Sequence, residues 1–148
     1  MAGLSVLAGR AGRRTDAGRP ETGVPRILAV ADVYLTAAAG MAEEVTRFYT
    51  ELVGLDPLPA EEGRRCLVFQ GYPRSGPRLL VSMLDRPRGP YQKRQLLVQV
   101  ASLFDREQRM LDEGIPVEWS RGWSFYDRRL WAQDPAGNRI ELVAYHVL

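Results

Sequence analysis

The sequence is poor in the residues that most often carry chemistry. It has one cysteine, Cys66, one histidine, His146, and one lysine, Lys93, in 148 residues. A lone cysteine makes no internal disulfide and no multi-cysteine metal site. It suits a reducing cytoplasm, where we expect the protein to reside. Cys66 lies in an apolar strand pattern, as a small core residue would. No apolar run approaches the roughly 20 residues that a membrane helix needs, so no membrane partner is expected. Excess charge is missing too. The net charge is +2, and residues 1–25 supply it through Arg10, Arg13, Arg14 and Arg19 against Asp16 and Glu21. Of 20 basic and 18 acidic residues, 16 of each remain for the rest of the chain, which argues against a nucleic-acid surface.

What is present reads as a tail and one domain. Residues 1–25 are rich in Gly, Ala and Arg without periodicity, and are expected to form a disordered basic tail. The apolar stretch Leu4–Ala8 is too short for a signal peptide, and its arginines follow rather than precede it. Residues 26–148 are expected to form the domain.

Residues 26–35 read as a strand that is apolar except chiefly at Asp32. A carboxylate there is either aimed into a polar cavity or marks a strand end near solvent, because burying it unpaired is costly. Residues 41–53 read as a helix, with Val45, Phe48, Tyr49 and Leu52 at i, i+3, i+4 and i+7 and Gly54 as its stop. Strands at 66–70 and 79–84 follow, and 85–90 reads as a linker. The pattern then restarts. Gln95–Val100 is a strand. Ser102 caps a helix with Asp105 three residues on, and its stripe is Leu103, Phe104, Met110 and Leu111. Gly114 ends it, and strands are expected at 115–119, 125–133 and 139–145.

Between the last two strands, Asp134-Pro135-Ala136-Gly137-Asn138 is a hairpin turn in which Gly137 and Asn138 accept positive φ. After it, Ile140 and Leu142 alternate with Glu141, which puts Glu141 on the opposite face. There it is either a solvated carboxylate or a group entering a concavity. A unit of strand, helix, glycine and about three strands thus occurs twice, at about 26–88 and 92–146. Neither half can bury both its sheet and its helix alone, so the halves should pair.

This duplicated unit resembles the vicinal oxygen chelate superfamily of glyoxalase I, bleomycin-resistance proteins and extradiol dioxygenases. The likeness rests on Arg47-Phe48-Tyr49 and Gly54-Leu55 in the first half, and on Trp123-Ser124-Phe125 through Glu141 in the second. It implies an α+β fold: two βαβββ modules forming one curved eight-stranded mixed sheet, with a concave cavity and helices outside. It also implies a homodimer. The superfamily's metal ligands come from both halves. Their places fall here on Asp32, Gln95 and Glu141, with a fourth near Ser82. The usual histidines are absent, and His146 lies past the last strand as a surface residue. Iron sites with two imidazoles and imidazole-rich zinc or nickel sites are therefore not matched. No cofactor is favoured. The alternative is a divalent ion (Mg, Mn, Zn, Ni or Fe) on Asp32, Gln95 and Glu141, whose oxygens suit the harder of these.

Trp119, Trp123, Tyr126 and Trp131 gather before Glu141, and with Phe69 and Ser82 they are candidate ligand contacts. Trp131 as a core residue and Trp119 at a dimer interface are the competing readings. The expected function is binding or sequestering a small organic, natural-product-like ligand in a pocket with Asp32, Gln95 and Glu141. One alternative is a metal-free isomerase, epimerase, lyase or cyclase using Asp32 and Glu141 as acid and base, with Gln95 as a hydrogen-bond donor. Another is a divalent-metal lyase or dioxygenase.

Overall fold

A computed structural model describes residues 24–86, 96–122 and 127–144. Gln95, Trp123, Tyr126, His146 and nearly all of the expected tail lie outside the described residues. Nine strands are present among the described residues: β1 (Arg26–Ile27), β2 (Val33–Ala38), β3 (Asp56–Leu58), β4 (Cys66–Gln70), β5 (Arg78–Leu84), β6 (Leu96–Val100), β7 (Val117–Arg121), β8 (Arg128–Gln133) and β9 (Arg139–Ala144). Helix α1 (Ala42–Arg47) follows a 3-10 turn at Ala39–Met41 and continues into a π-helical turn at Phe48–Val53. Helix α2 is Leu103–Asp112, and the Ser102 hydroxyl accepts the Asp105 N–H at 3.2 Å as its cap. Both helical segments stop at left-handed glycines, Gly54 (φ 93°) and Gly114 (φ 75°).

The architecture is α+β and the repeat is explicit. One sheet has the order β2-β5-β4-β3, and the other contains β6-β9-β8-β7, the same order one module later. In each, the outer pair is parallel (β2 with β5, β6 with β9) and the remaining pairs are antiparallel. Strand β1 is added at the free edge of β6, so the ladders form a four-stranded and a five-stranded sheet where eight strands in one were expected. The continuous strand expected over 26–35 is thereby divided. Its start pairs with the second module and its end with the first, and Val30 in the crossing is fully exposed.

The core lies between sheets and helices. Leu35, Ala37, Phe69, Leu79 and Val81 of the first sheet and Leu96, Val98, Leu130, Ile140 and Leu142 of the second join Val45, Phe48, Tyr49, Val53, Leu103 and Met110 of the helical segments in one buried cluster. Each buried Leu or Ile contributes roughly 1.5–3 kcal/mol. The π-turn lets Phe48, Tyr49, Leu52 and Val53 all turn inward. On α2 the apolar stripe is narrower than expected. Leu103 and Met110 are buried, whereas Phe104, 70% exposed, and Leu111 lie one position round the helix and face solvent. No helix among the described residues is long and apolar enough to cross a membrane.

Candidate functional site

The turn before β9 positions everything that follows it. Asp134 is only 4% exposed, yet four donors satisfy it. The Ala136 and Asn138 N–H groups donate to its Oδ1 at 2.9 and 2.8 Å. Asn138 Nδ2 and the Tyr49 hydroxyl donate to its Oδ2 at 2.9 and 2.6 Å. Gly137 takes the positive φ, and Asn138 does not, so the asparagine serves through its side chain. Its amide also donates to the Thr36 carbonyl of β2 at 2.9 Å. Burial, and then the Asp134 charge, push the Tyr49 hydroxyl well above its ordinary pKa, so it stays a neutral donor.

Strand alternation then sorts β9. Ile140 and Leu142 enter the core, and Glu141 points to the other face, where it is still only 4% exposed. Across the ladder its neighbours are Trp131 on β8 and Leu97 on β6. Arg129 shares the face and covers the carboxylate, with Nη1 donating to Glu141 Oε1 at 2.8 Å and Nη2 to Asp127 Oδ2 at 3.3 Å. Those two hydrogen bonds, Glu141 first, raise the Arg129 pKa and hold it charged. Its Nε is buried with no hydrogen-bond partner. Gly122 makes this packing possible, because a Cβ there would lie 1.8 Å from Asp127 Oδ2 and 2.9 Å from Arg129 Nε.

A cavity of about 420 Å³ opens on this face, lined by Ser120, Arg121, Gly122, Arg129, Trp131 and Glu141. The Trp131 indole N–H donates to Ser120 Oγ at 2.6 Å, and the Arg139 guanidinium lies 3.8 Å from the ring centroid. The indole is thus fixed at its edge and covered on one face.

The other candidates among the described residues lie elsewhere. Asp32 precedes β2 in the other sheet, where it accepts the Arg78 N–H at 2.8 Å and a guanidinium bond at 2.9 Å. The Arg78 side chain and backbone hold its carboxyl below the usual range. Phe69, a candidate ligand contact, is a core residue at 1% exposure, 5.3 Å from the Tyr49 ring. Trp119 pairs with core residue Leu130, so it stands on the helix side of β7. It is 40% exposed and donates its indole N–H to Glu107 of α2. Ser82 is half-buried on β5, opposite half-buried Cys66, whose thiol is pushed up by burial. Among the described residues, Trp131 and Glu141 are therefore the sequence-derived candidates that share the cavity. Arg129, Ser120 and Arg121 complete it without having been singled out, although alternation along β8 places Arg129 and Trp131 on one face.

A metal centre has little to build on. Among the described residues, no three His, Cys, Asp or Glu side chains gather as a metal-binding group. The oxygen of Glu141 nearest Arg129 is already engaged.

No family model and no curated protein matches the chain. Solved structures do. A glyoxalase family protein from Bacillus anthracis superposes with a TM-score of 0.67 at 23% identity, over 81% of this chain and 97% of that one. TnmS3, an antibiotic binding protein from Streptomyces sp. CB03234, gives 0.58 at 20% identity over 80% and 98%. Lactoylglutathione lyase from Agrobacterium tumefaciens gives 0.56 at 19% identity over 79% and 93%. Likeness at these identities shows a shared fold, that of the vicinal oxygen chelate proteins, and the same fold serves a binder and an enzyme.

Proposed function

We propose that this chain uses the vicinal oxygen chelate fold to bind and sequester a small organic molecule in the cavity of its second module, without a metal. The observation that carries this reading is the cavity wall itself. A fixed indole, Trp131, stands beside Ser120, Arg121, Arg129 and Glu141 in a space of about 420 Å³, large enough for a small ligand. The shared fold of an antibiotic binding protein supports the same reading.

Acid/base catalysis by Asp32 and Glu141 is less well supported. Each carboxylate is paired to an arginine of its own sheet, Asp32 to Arg78 and Glu141 to Arg129. Arg78 holds the Asp32 carboxyl below its usual range and so makes it a weaker base, and Asp32 stands in the other sheet from Glu141. We also infer a homodimer, to be checked by mass measurement in solution.

Titration with 8-anilinonaphthalene-1-sulfonate tests the site. Saturable fluorescence enhancement is expected, unchanged by EDTA and weakened about tenfold by Trp131→Ala. Trp131→Phe, which keeps a ring, should retain most of it. Non-saturable binding, or binding indifferent to Trp131→Ala, would overturn the proposal.

A further inference from the structure

Three features stand out beyond the shape of the cavity: the mostly apolar outer face of the first sheet, the buried Tyr49–Asp134 pair, and the arginine on Glu141. The first two describe packing. The third bears on what the site can hold.

The fold resemblance marks Glu141 as the surviving metal ligand, so the carboxylate faces a place where a cation is expected. A cation is already there. Arg129 Nη1 lies 2.8 Å from Glu141 Oε1, and Nη2 reaches Asp127 Oδ2 at 3.3 Å. The arginine comes from β8, one strand away, at a register that pairs it with Val143 two residues beyond Glu141. Its side chain is 29% exposed and that of Glu141 5%, so the pair is more sheltered than any other ion pair among the described residues. Gly122 supplies the space that the Asp127 and Arg129 groups need.

We propose that the Arg129 guanidinium is the resident cation of this site, standing in for the divalent metal that the fold implies. A guanidinium differs from a metal ion in what it offers a ligand. It has no open coordination position and accepts no lone pair as a Lewis acid; it donates hydrogen bonds in a fixed plane. Of the five N–H groups of the Arg129 guanidinium, one on Nη1 and one on Nη2 are engaged by Glu141 and Asp127, and the buried Nε–H has no partner among the described residues. Glu141 Oε2 carries no hydrogen bond among the described residues, and Ser120, which accepts from Trp131, still has its own proton to donate. The site therefore selects a ligand by donors and an acceptor on either side of a flat ring, and the ligand need not be a chelator. The proposal rests on the cavity being the ligand site, but its test is independent of any ligand.

Purified protein is incubated with Mn²⁺, Ni²⁺ or Zn²⁺, desalted and analysed for metal, and its Tm is followed with and without each ion. Wild type should retain no stoichiometric metal and show no ion-dependent rise in Tm. Arg129→Met should lower Tm by roughly 5–10 °C, since it leaves a sheltered carboxylate unpaired. Adding Glu141→Gln should restore much of that loss. One equivalent of metal on wild type that disappears in Glu141→Gln overturns the assignment. So does an Arg129→Met protein as stable as wild type. If Arg129→Met does not fold, recovery of folded protein by the double variant supports the pairing, and failure of the double variant as well counts against it. The fluorescent-probe titration stands apart: loss of probe binding with no metal retained would sink the ligand reading and leave this one.

Discussion

The two modules share a backbone and differ in chemistry. The first rungs of their parallel ladders are Val33↔Leu79 and Leu96↔Ile140. From these rungs, Leu80 holds the place of Glu141. Following the antiparallel ladders, Val68 holds the place of Trp131 and Cys66 that of Arg129. The match runs further: Gln70 pairs with Arg78 as Gln133 pairs with Arg139, and the helix-ending Gly54 and Gly114 each stand four residues before a matched rung residue, Leu58 and Glu118. Yet the open face of the first sheet is mostly apolar where the second carries a carboxylate, a guanidinium and an indole. A repeated topology repeats the scaffold and its core, and leaves the alternate positions on the opposite face free to diverge. The first module keeps its candidate carboxylate, Asp32, just before β2, with its arginine exposed.

Breaking the second module's turn should cost most. Asp134→Ala removes a buried acceptor of four hydrogen bonds and leaves the Tyr49 hydroxyl unpaired, which should destabilise by about 3–5 kcal/mol in chemical denaturation. Tyr49→Phe removes only the donor and should cost about 1.5–3 kcal/mol. Equal, small effects would show that the turn stands without its carboxylate.

Making the modules alike sharpens the comparison. Leu80→Glu puts a carboxylate where the first module has no partner for it, and should cost about 3 kcal/mol. Adding Cys66→Arg copies the Arg129–Glu141 arrangement and should recover about half. No recovery would mean that register alone does not make the pair.

The smallest effect belongs to the exposed pair. Asp32→Asn should lower Tm by about two degrees at pH 7. Because Arg78 lowers the Asp32 pKa, the stabilisation is present above the unfolded value, roughly 3.9, and is lost as pH falls through the lower folded value. The gap between wild type and variant should therefore close in acid. A gap that persists well below that pH would assign it to packing instead.

Much of the fold was legible because it depends on period and punctuation. The stripe of Val45, Phe48, Tyr49 and Leu52, the Ser102 cap, the two glycines and the alternation around Glu141 are local signals. The division of 26–35 was not legible, since an apolar run does not say which sheet each end will join. In the site, Glu141 and Trp131 could be placed by alternation. Arg129 could have been placed the same way from Leu130 and Ala132, but in a chain with 20 basic residues, all but Lys93 arginine, no single one stands out. Asp134 could be read as a turn residue. Its bond to Tyr49, 85 residues earlier, could not.

Strand β1 has a consequence for how the protein is made. Arg26 and Ile27 pair with Gln99 and Val98, so β1 joins a partner synthesised much later. At about 5–20 residues per second, that partner follows on the order of several seconds behind. Until then Ile27, which ends up in the core, lacks its ladder partner Val98. The ladder of residues 26–27 is laid on a strand that the later half provides, so this pairing closes backwards along the chain and is among the last in the domain to form.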